Sequence, residues 1–233
     1  PPLLDLQVNG FGGIDFQRDD LTTGDLLAAV RALRRNGCTR ILLTLITDEW
    51  PRLLARLKHL RQLRAHSAEL QQAIAGWHIE GPFLSSEPGF CGAHNPAWML
   101  DPQPRHLREI REATGQDPVL LTIAPLRSNA IAAIAMAVRL GMKVSLGHTN
   151  APRRRLEQAL KAGATGFTHL GNGCPRTLDR NDNVLWRVFE LPGLTVSLIP
   201  DRAHVSPPLF RLIHRVIDPD SIYYITDAMA AAD

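Results

Sequence analysis

Four side chains stand out because each closes an apolar run and each could do hydrolytic chemistry. Glu80 ends Gly76-Trp77-His78-Ile79-Glu80, just before Gly81-Pro82-Phe83, His148 ends Lys143-Val144-Ser145-Leu146-Gly147-His148, His169 sits in Gly166-Phe167-Thr168-His169-Leu170-Gly171, and Asp227 ends Ile222-Tyr223-Tyr224-Ile225-Thr226-Asp227. Apolar runs of this length read as buried strands, so each polar group is aimed out of a strand's carboxyl end. Two imidazoles and a carboxylate, with a water in the fourth position, make the donor set of a catalytic rather than a structural zinc site. A second carboxylate beside them could take a proton from that water. Read singly, each has a plainer role: a hydrogen-bonding histidine, a satisfied buried acid, or a helix cap in the case of Asp227. The joint pattern favours the site, because an unpaired buried Glu80 is costly and a cation removes the cost.

The remaining elements have to bring these four ends together. Leu3 to Asn9 alternates, with Leu4, Leu6 and Val8 on one side and Asp5, Gln7 and Asn9 on the other, and the Gly10-Phe11-Gly12-Gly13 turn follows. Further strands are expected over 41–46, 119–124 and 194–199. Amphipathic helices are expected over 25–36, 50–65, 105–113, 129–140, 152–163, 183–190 and 207–216, the second carrying leucines inward and Arg and Lys outward. Eight short strands alternating with seven helices imply a parallel sheet closed as a (β/α)8 TIM-type barrel, whose active sites gather at the strand carboxyl ends. A doubly wound open sheet is the competing architecture, and no Gly-rich phosphate fingerprint supports it. The Gly- and Pro-rich segment 84–104 is too long for a simple connector and holds His94-Asn95-Pro96, so a functional loop is expected there.

With 233 residues and 45% hydrophobic content the chain suits one large domain, 1–233, with a substantial core. The net charge is +3, spread over several amphipathic segments. Arg153-Arg154-Arg155 reads as a solvated helix face rather than a nucleic-acid stripe, with no aromatic residues interleaved. Cys38, Cys91 and Cys174 are odd in number and far apart, which reads as reduced thiols in a cytoplasmic protein. No apolar run is long enough to cross a bilayer. The chain starts at Pro1 and ends at Asp233, just past the fourth site stretch, so a longer polypeptide is expected. Of the other histidines, His204 follows the seventh strand and reads as a site residue, His78 as a hydrogen-bonding support for the site, and His59, His66, His106 and His214 as solvated helix residues.

The ordered motifs Asp5-Leu6-Gln7-Val8-Asn9-Gly10, His78-Ile79-Glu80-Gly81-Pro82-Phe83, Gly92-Ala93-His94-Asn95-Pro96, Gly147-His148-Thr149-Asn150, Thr168-His169-Leu170 and Thr226-Asp227-Ala228 resemble the N-acetylglucosamine-6-phosphate deacetylases of the amidohydrolase superfamily. The resemblance runs from Asp5 to Asp227. It implies a metal-dependent barrel, here without the small β-sandwich domain that the family builds from both chain ends, hydrolysing the acetamido group of an amino-sugar phosphate. By the same resemblance Glu80, His148 and His169 would bind the metal, and Asp227 would be the general base. His204 would contact the substrate and help polarise its carbonyl. His94, Asn172 and Gly173 would lie against the phosphosugar, and Arg180 would reach the neighbouring subunit's site in a homodimer. Gln7-Val8-Asn9 stands where many amidohydrolases have His-x-His, and carboxamides are poorer zinc ligands than imidazoles, so one divalent ion, zinc, is expected. Near the sugar pocket the chain departs from the family at Leu170-Gly171-Asn172-Gly173-Cys174, at Arg202 and in the longer stretch 84–91. The rival readings are another amidohydrolase, acting on a different acylamino sugar or a cyclic amide, and a sugar-phosphate-binding barrel without catalysis.

Overall fold

The computed structural model describes residues 3–232. β1 (Leu3–Val8) leads through a small antiparallel hairpin, β2 (Gly10–Phe11) and β3 (Ile14–Asp15), to α1 (Thr23–Arg35), and β4 (Cys38–Ile46) follows. Next come α2 (Trp50–Ala65), α3 (Ala68–Ala73), β5 (Ile74–Glu80), α4 (Pro104–Thr114), β6 (Val119–Ile123), α5 (Ala130–Arg139) and β7 (Lys143–Leu146). The chain continues with α6 (Arg153–Lys161), β8 (Gly166–Phe167), α7 (Val184–Phe189), β9 (Thr195–Leu198), α8 (Pro207–Val216) and β10 (Ile222–Tyr224).

Eight strands form one parallel sheet in the order β1-β4-β5-β6-β7-β8-β9-β10. The two edges meet at their carboxyl ends, where Val8 bridges Ala228 and the Asn9 and Gly10 amides donate to the Ala228 carbonyl at 2.7 and 3.2 Å. The result is a nearly closed (β/α)8 barrel. Local sequence explains the helices that wrap it. α1 opens on a capping box, Thr22 accepting from the Asp25 amide while Asp25 reaches back, and it buries Leu26, Ala29, Val30 and Leu33 against the strands. α8 starts at Pro207 behind its Ser206 cap.

Three expectations need correction, and one element was not expected. α3 went unread, because six residues carry too little periodicity to separate a helix from the end of α2. Arg56 on α2 is buried instead of outward, since Asp48 and Asp19 pair with its guanidinium at 2.9 and 2.7 Å. His106 is buried rather than solvated, stacked on Phe83 with ring centroids 5.5 Å apart and accepting the Gln103 amide at 3.1 Å. The alternation of β1 does not hold throughout: its register against β4 slips between Asp5 and Val8, so that Val8 lies in the core while Leu4 and Leu6 line a cavity of about 560 Å³ with Leu42 and Leu120.

Candidate metal centre

Glu80 is the last residue of β5, and His148 and His169 each sit two residues beyond β7 and β8. Parallel pairing of β5 with β6, β6 with β7 and β7 with β8 brings these ends to one side of the barrel. His148, His169 and Asp227 all have positive φ, 47°, 32° and 52°. Non-glycine residues rarely adopt this backbone, and they concentrate where a tertiary constraint holds a functional side chain. Here the turn out of the strand rotates each side chain back over the barrel mouth.

The Glu80 Oε1 atom lies 2.8 Å from His169 Nε2 and 3.3 Å from His148 Nε2, and the donor atoms of the three residues fall within 4.8 Å of one another. All three side chains are buried. The Phe90 carbonyl accepts from His148 Nδ1 at 2.8 Å, which assigns the ring proton to Nδ1 and leaves the Nε2 lone pair aimed at a carboxylate oxygen. Two lone pairs facing each other across 3.3 Å require a proton or a cation between them. Burial by itself would raise the Glu80 carboxyl, but the facing His148 and His169 imidazoles outweigh it and hold the group well below the usual carboxylate range. Burial opposes charging of His169, yet its bond to Glu80 pulls its pKa up instead. The donor set therefore fits a divalent cation in both geometry and charge: one anion, two imidazoles, and no water-exposed alternative for the carboxylate. Gly92 and Gly173 close over the His148 ring. A Cβ on Gly173 would lie 3.1 Å from His148 Nδ1 and one on Gly92 2.9 Å from Cε1, so side chains at either position would push the imidazole out of line.

Asp227 adjoins this cluster. Burial and the Glu80 charge push its carboxyl up to about 6, against the opposing influence of His169 and of hydrogen bonds from Asn9 and Gln7. His94 is also drawn in, its Nε2 3.7 Å from Glu80 Oε2 and its ring edge-on to that of His148. Burial lowers its pKa to about 4, so the ring is neutral. The Thr47 backbone amide donates to His94 Nδ1 at 3.4 Å, which leaves the proton on Nε2. Asn172 donates its backbone amide to the His169 carbonyl at 2.8 Å, and its buried Nδ2 has no protein partner.

Two of the expected residues lie apart. His204 is exposed in the loop after β9, its Nδ1 2.7 Å from Asp201 Oδ2. Arg180 is exposed as well, and its carbonyl accepts the Trp186 indole at 3.2 Å. Among the described residues no hydrogen bond or ion pair joins either one to the cluster. His78 supports the site from below rather than through Glu80: its Nδ1 and Nε2 face the hydroxyls of Thr44 at 3.2 Å and Thr122 at 2.8 Å. From Thr122 the bonds run on through Thr168 to Ser145, all inside the barrel. Thr47, the Phe90 carbonyl and this hydroxyl chain escaped sequence reasoning because single Thr and Ser residues in apolar strands carry no spacing signal.

Fold and donor set together define a (β/α)8 barrel with a divalent-metal triad at its carboxyl end. Set against profiles of known protein families, the chain matches none. It is similar to the N-acetylglucosamine-6-phosphate deacetylase of Danio rerio, 32% identical over 99% of this chain and 58% of that protein. It is also similar to the N-acetylgalactosamine-6-phosphate deacetylase of Shewanella sp. (strain ANA-3), 33% identical over 97% of this chain and 56% of that one. Among solved structures, a substituted N-acetyl-D-glucosamine-6-phosphate deacetylase of Mycobacterium smegmatis, in complex with N-acetyl-D-glucosamine 6-phosphate, superposes with a TM-score of 0.87 and 35% identity, over 99% of this chain and 58% of that one. The chain is similar to these amino-sugar-phosphate deacetylases over almost its whole length, and it spans little more than half the length of the relatives it matches.

Proposed function

We propose that the protein to which this barrel belongs hydrolyses the acetamido bond of N-acetylglucosamine 6-phosphate, releasing acetate and glucosamine 6-phosphate. The observation that carries this reading is the convergence of Glu80, His148 and His169, with Asp227 beside them. In it, residues 1–233 are the catalytic barrel domain, and Glu80, His148 and His169 hold one divalent ion, zinc by its donor set. Bound there, that ion supplies Lewis-acid polarisation and activation of water. Asp227 accepts the proton of the attacking water and later delivers it to the amine nitrogen as the carbon–nitrogen bond breaks. His94, a neutral donor through Nε2, is suited to an oxygen of the sugar, and Asn172 offers an unpartnered Nδ2 beside Gly173. His204 would polarise the substrate carbonyl once the loop after β9 brings it in. Arg180 would bind the phosphate of a neighbouring subunit's substrate in a homodimer. A cytoplasmic location fits a phosphorylated sugar substrate, and no helix among the described residues is long and apolar enough to cross a membrane.

The Shewanella relative is named for the galactosamine epimer, which favours a second reading with the same chemistry on the C4 epimer. The test is zinc content together with acetate release from each epimer by the full-length protein, before and after chelation. One zinc per chain with chelator-sensitive release from the glucosamine substrate is expected. Faster release from the galactosamine epimer would reassign the sugar, and zinc without release from either would overturn the activity.

A further inference from the structure

Two carboxamides on β1 and just past it face the carboxylate proposed as the base. Gln7 Nε2 lies 2.9 Å from Asp227 Oδ1 and Asn9 Nδ2 lies 2.6 Å from the same atom. Among the described residues no other side chain bonds Asp227, and its second oxygen, Oδ2, has no protein hydrogen bond. A carboxamide can offer a cation its oxygen or an anion its N–H, and both have turned their N–H groups to the acid. The backbone fixes this pairing. Val8 bridges Ala228, the Asn9 amide donates to the Ala228 carbonyl, and the Thr226 amide donates to Asp5 Oδ2 at 3.0 Å, so Asp227 is held at φ 52° between two ties to β1.

We infer that Gln7 and Asn9 are positioning residues for proton transfer: by saturating Oδ1 from two sides they reserve Oδ2 of Asp227 for the reacting proton and fix the plane in which it is presented. Two donors on one oxygen lower the basicity of that oxygen and leave the other as the acceptor, so the carboxylate acts in one orientation. The seam that closes the barrel is then also the device that aims the base. β1 contributes to the reaction through the acid. This rests on the deacetylase reading for its kinetics, and on geometry alone for its structural test.

The experiment uses the full-length protein with Gln7→Met and Asn9→Leu, which keep volume and remove the donor. Each is expected to lower kcat about tenfold, the scale of one hydrogen bond to a charged group, with KM and the calorimetric affinity for zinc within about twofold of the parent. In an Asp227→Asn background neither should reduce the residual turnover further. A tenfold loss of zinc affinity would make these residues ligands and overturn the inference, as would an unchanged kcat or an equal loss in the Asp227→Asn background. Asn9, half-exposed, carries the test alone if Gln7→Met does not fold. If the parent releases no acetate, the deacetylase reading fails, and crystal structures of the metal-free parent and the doubly substituted protein decide the inference: a rotated Asp227 carboxylate supports it, and an unmoved one overturns it.

Discussion

The two ends of β5 treat a carboxylate in opposite ways. At the amino end Asp117 receives Arg64 Nη1 at 3.0 Å, Arg61 Nε at 3.2 Å and the Trp77 indole at 3.0 Å, while Arg64 also ties down the Ile74 carbonyl. Every counter-charge is supplied by the chain, through guanidinium groups that stay protonated at any physiological pH. At the carboxyl end Glu80 faces only imidazoles: His169 and His148 on one oxygen, His94 on the other. Imidazoles balance an anion only if they take up protons or share a cation with it. The first acid is complete within the fold; in the proposed reading the second is completed from outside, by a cation.

The contrast can be broken experimentally. Glu80→Gln keeps the shape and removes the charge, so zinc affinity should fall by more than ~100-fold, beyond what loss of an outer partner costs, with little change in the stability of the metal-free protein. Zinc titration calorimetry on full-length protein checks this, and retained affinity would show that the anion is not a ligand. Asp117→Asn should do the reverse. Leaving Arg61, 43% exposed, and the half-buried Arg64 without their partner should cost about 1–2 kcal/mol in urea unfolding, with zinc affinity unchanged. A parallel loss of zinc binding would mean that the two ends of β5 are coupled.

The smallest expected effect is a pH dependence. Burial lowers His78 to about 4, against an unfolded value near 6.5, so the native state refuses a proton that the unfolded state accepts between those values. The stability from keeping this ring neutral is fully present above about pH 6.5 and is lost as pH falls toward 4. His78→Gln, which keeps a polar group against Thr44 and Thr122, should flatten that part of the acid limb in denaturation of the chelated protein. An unchanged limb would assign the acid sensitivity to His94, which titrates over the same range.

The order of strands and most helix spans could be read from the chain because both follow from local periodicity. The spans expected for α2 and α8, 50–65 and 207–216, coincide with the observed ones. The convergence of Glu80, His148, His169 and Asp227 was legible for a related reason: a polar group ending an apolar strand is a local feature, and a barrel must place all such ends on one rim. What periodicity cannot encode is the partner. Nothing local distinguishes Arg56, buried on two aspartates, from the solvated arginines of the same helix, or His106, stacked on Phe83, from His66 in solvent. The one-residue slip in β1, the left-handed backbone at His148, His169 and Asp227, and the turning of Gln7 and Asn9 toward Asp227 arise where the barrel closes on itself. Sequence determined which residues arrive at the rim. Only tertiary closure decided which atoms they present, because hydrogen-bond direction and carboxylate orientation are set by neighbours from the other end of the chain.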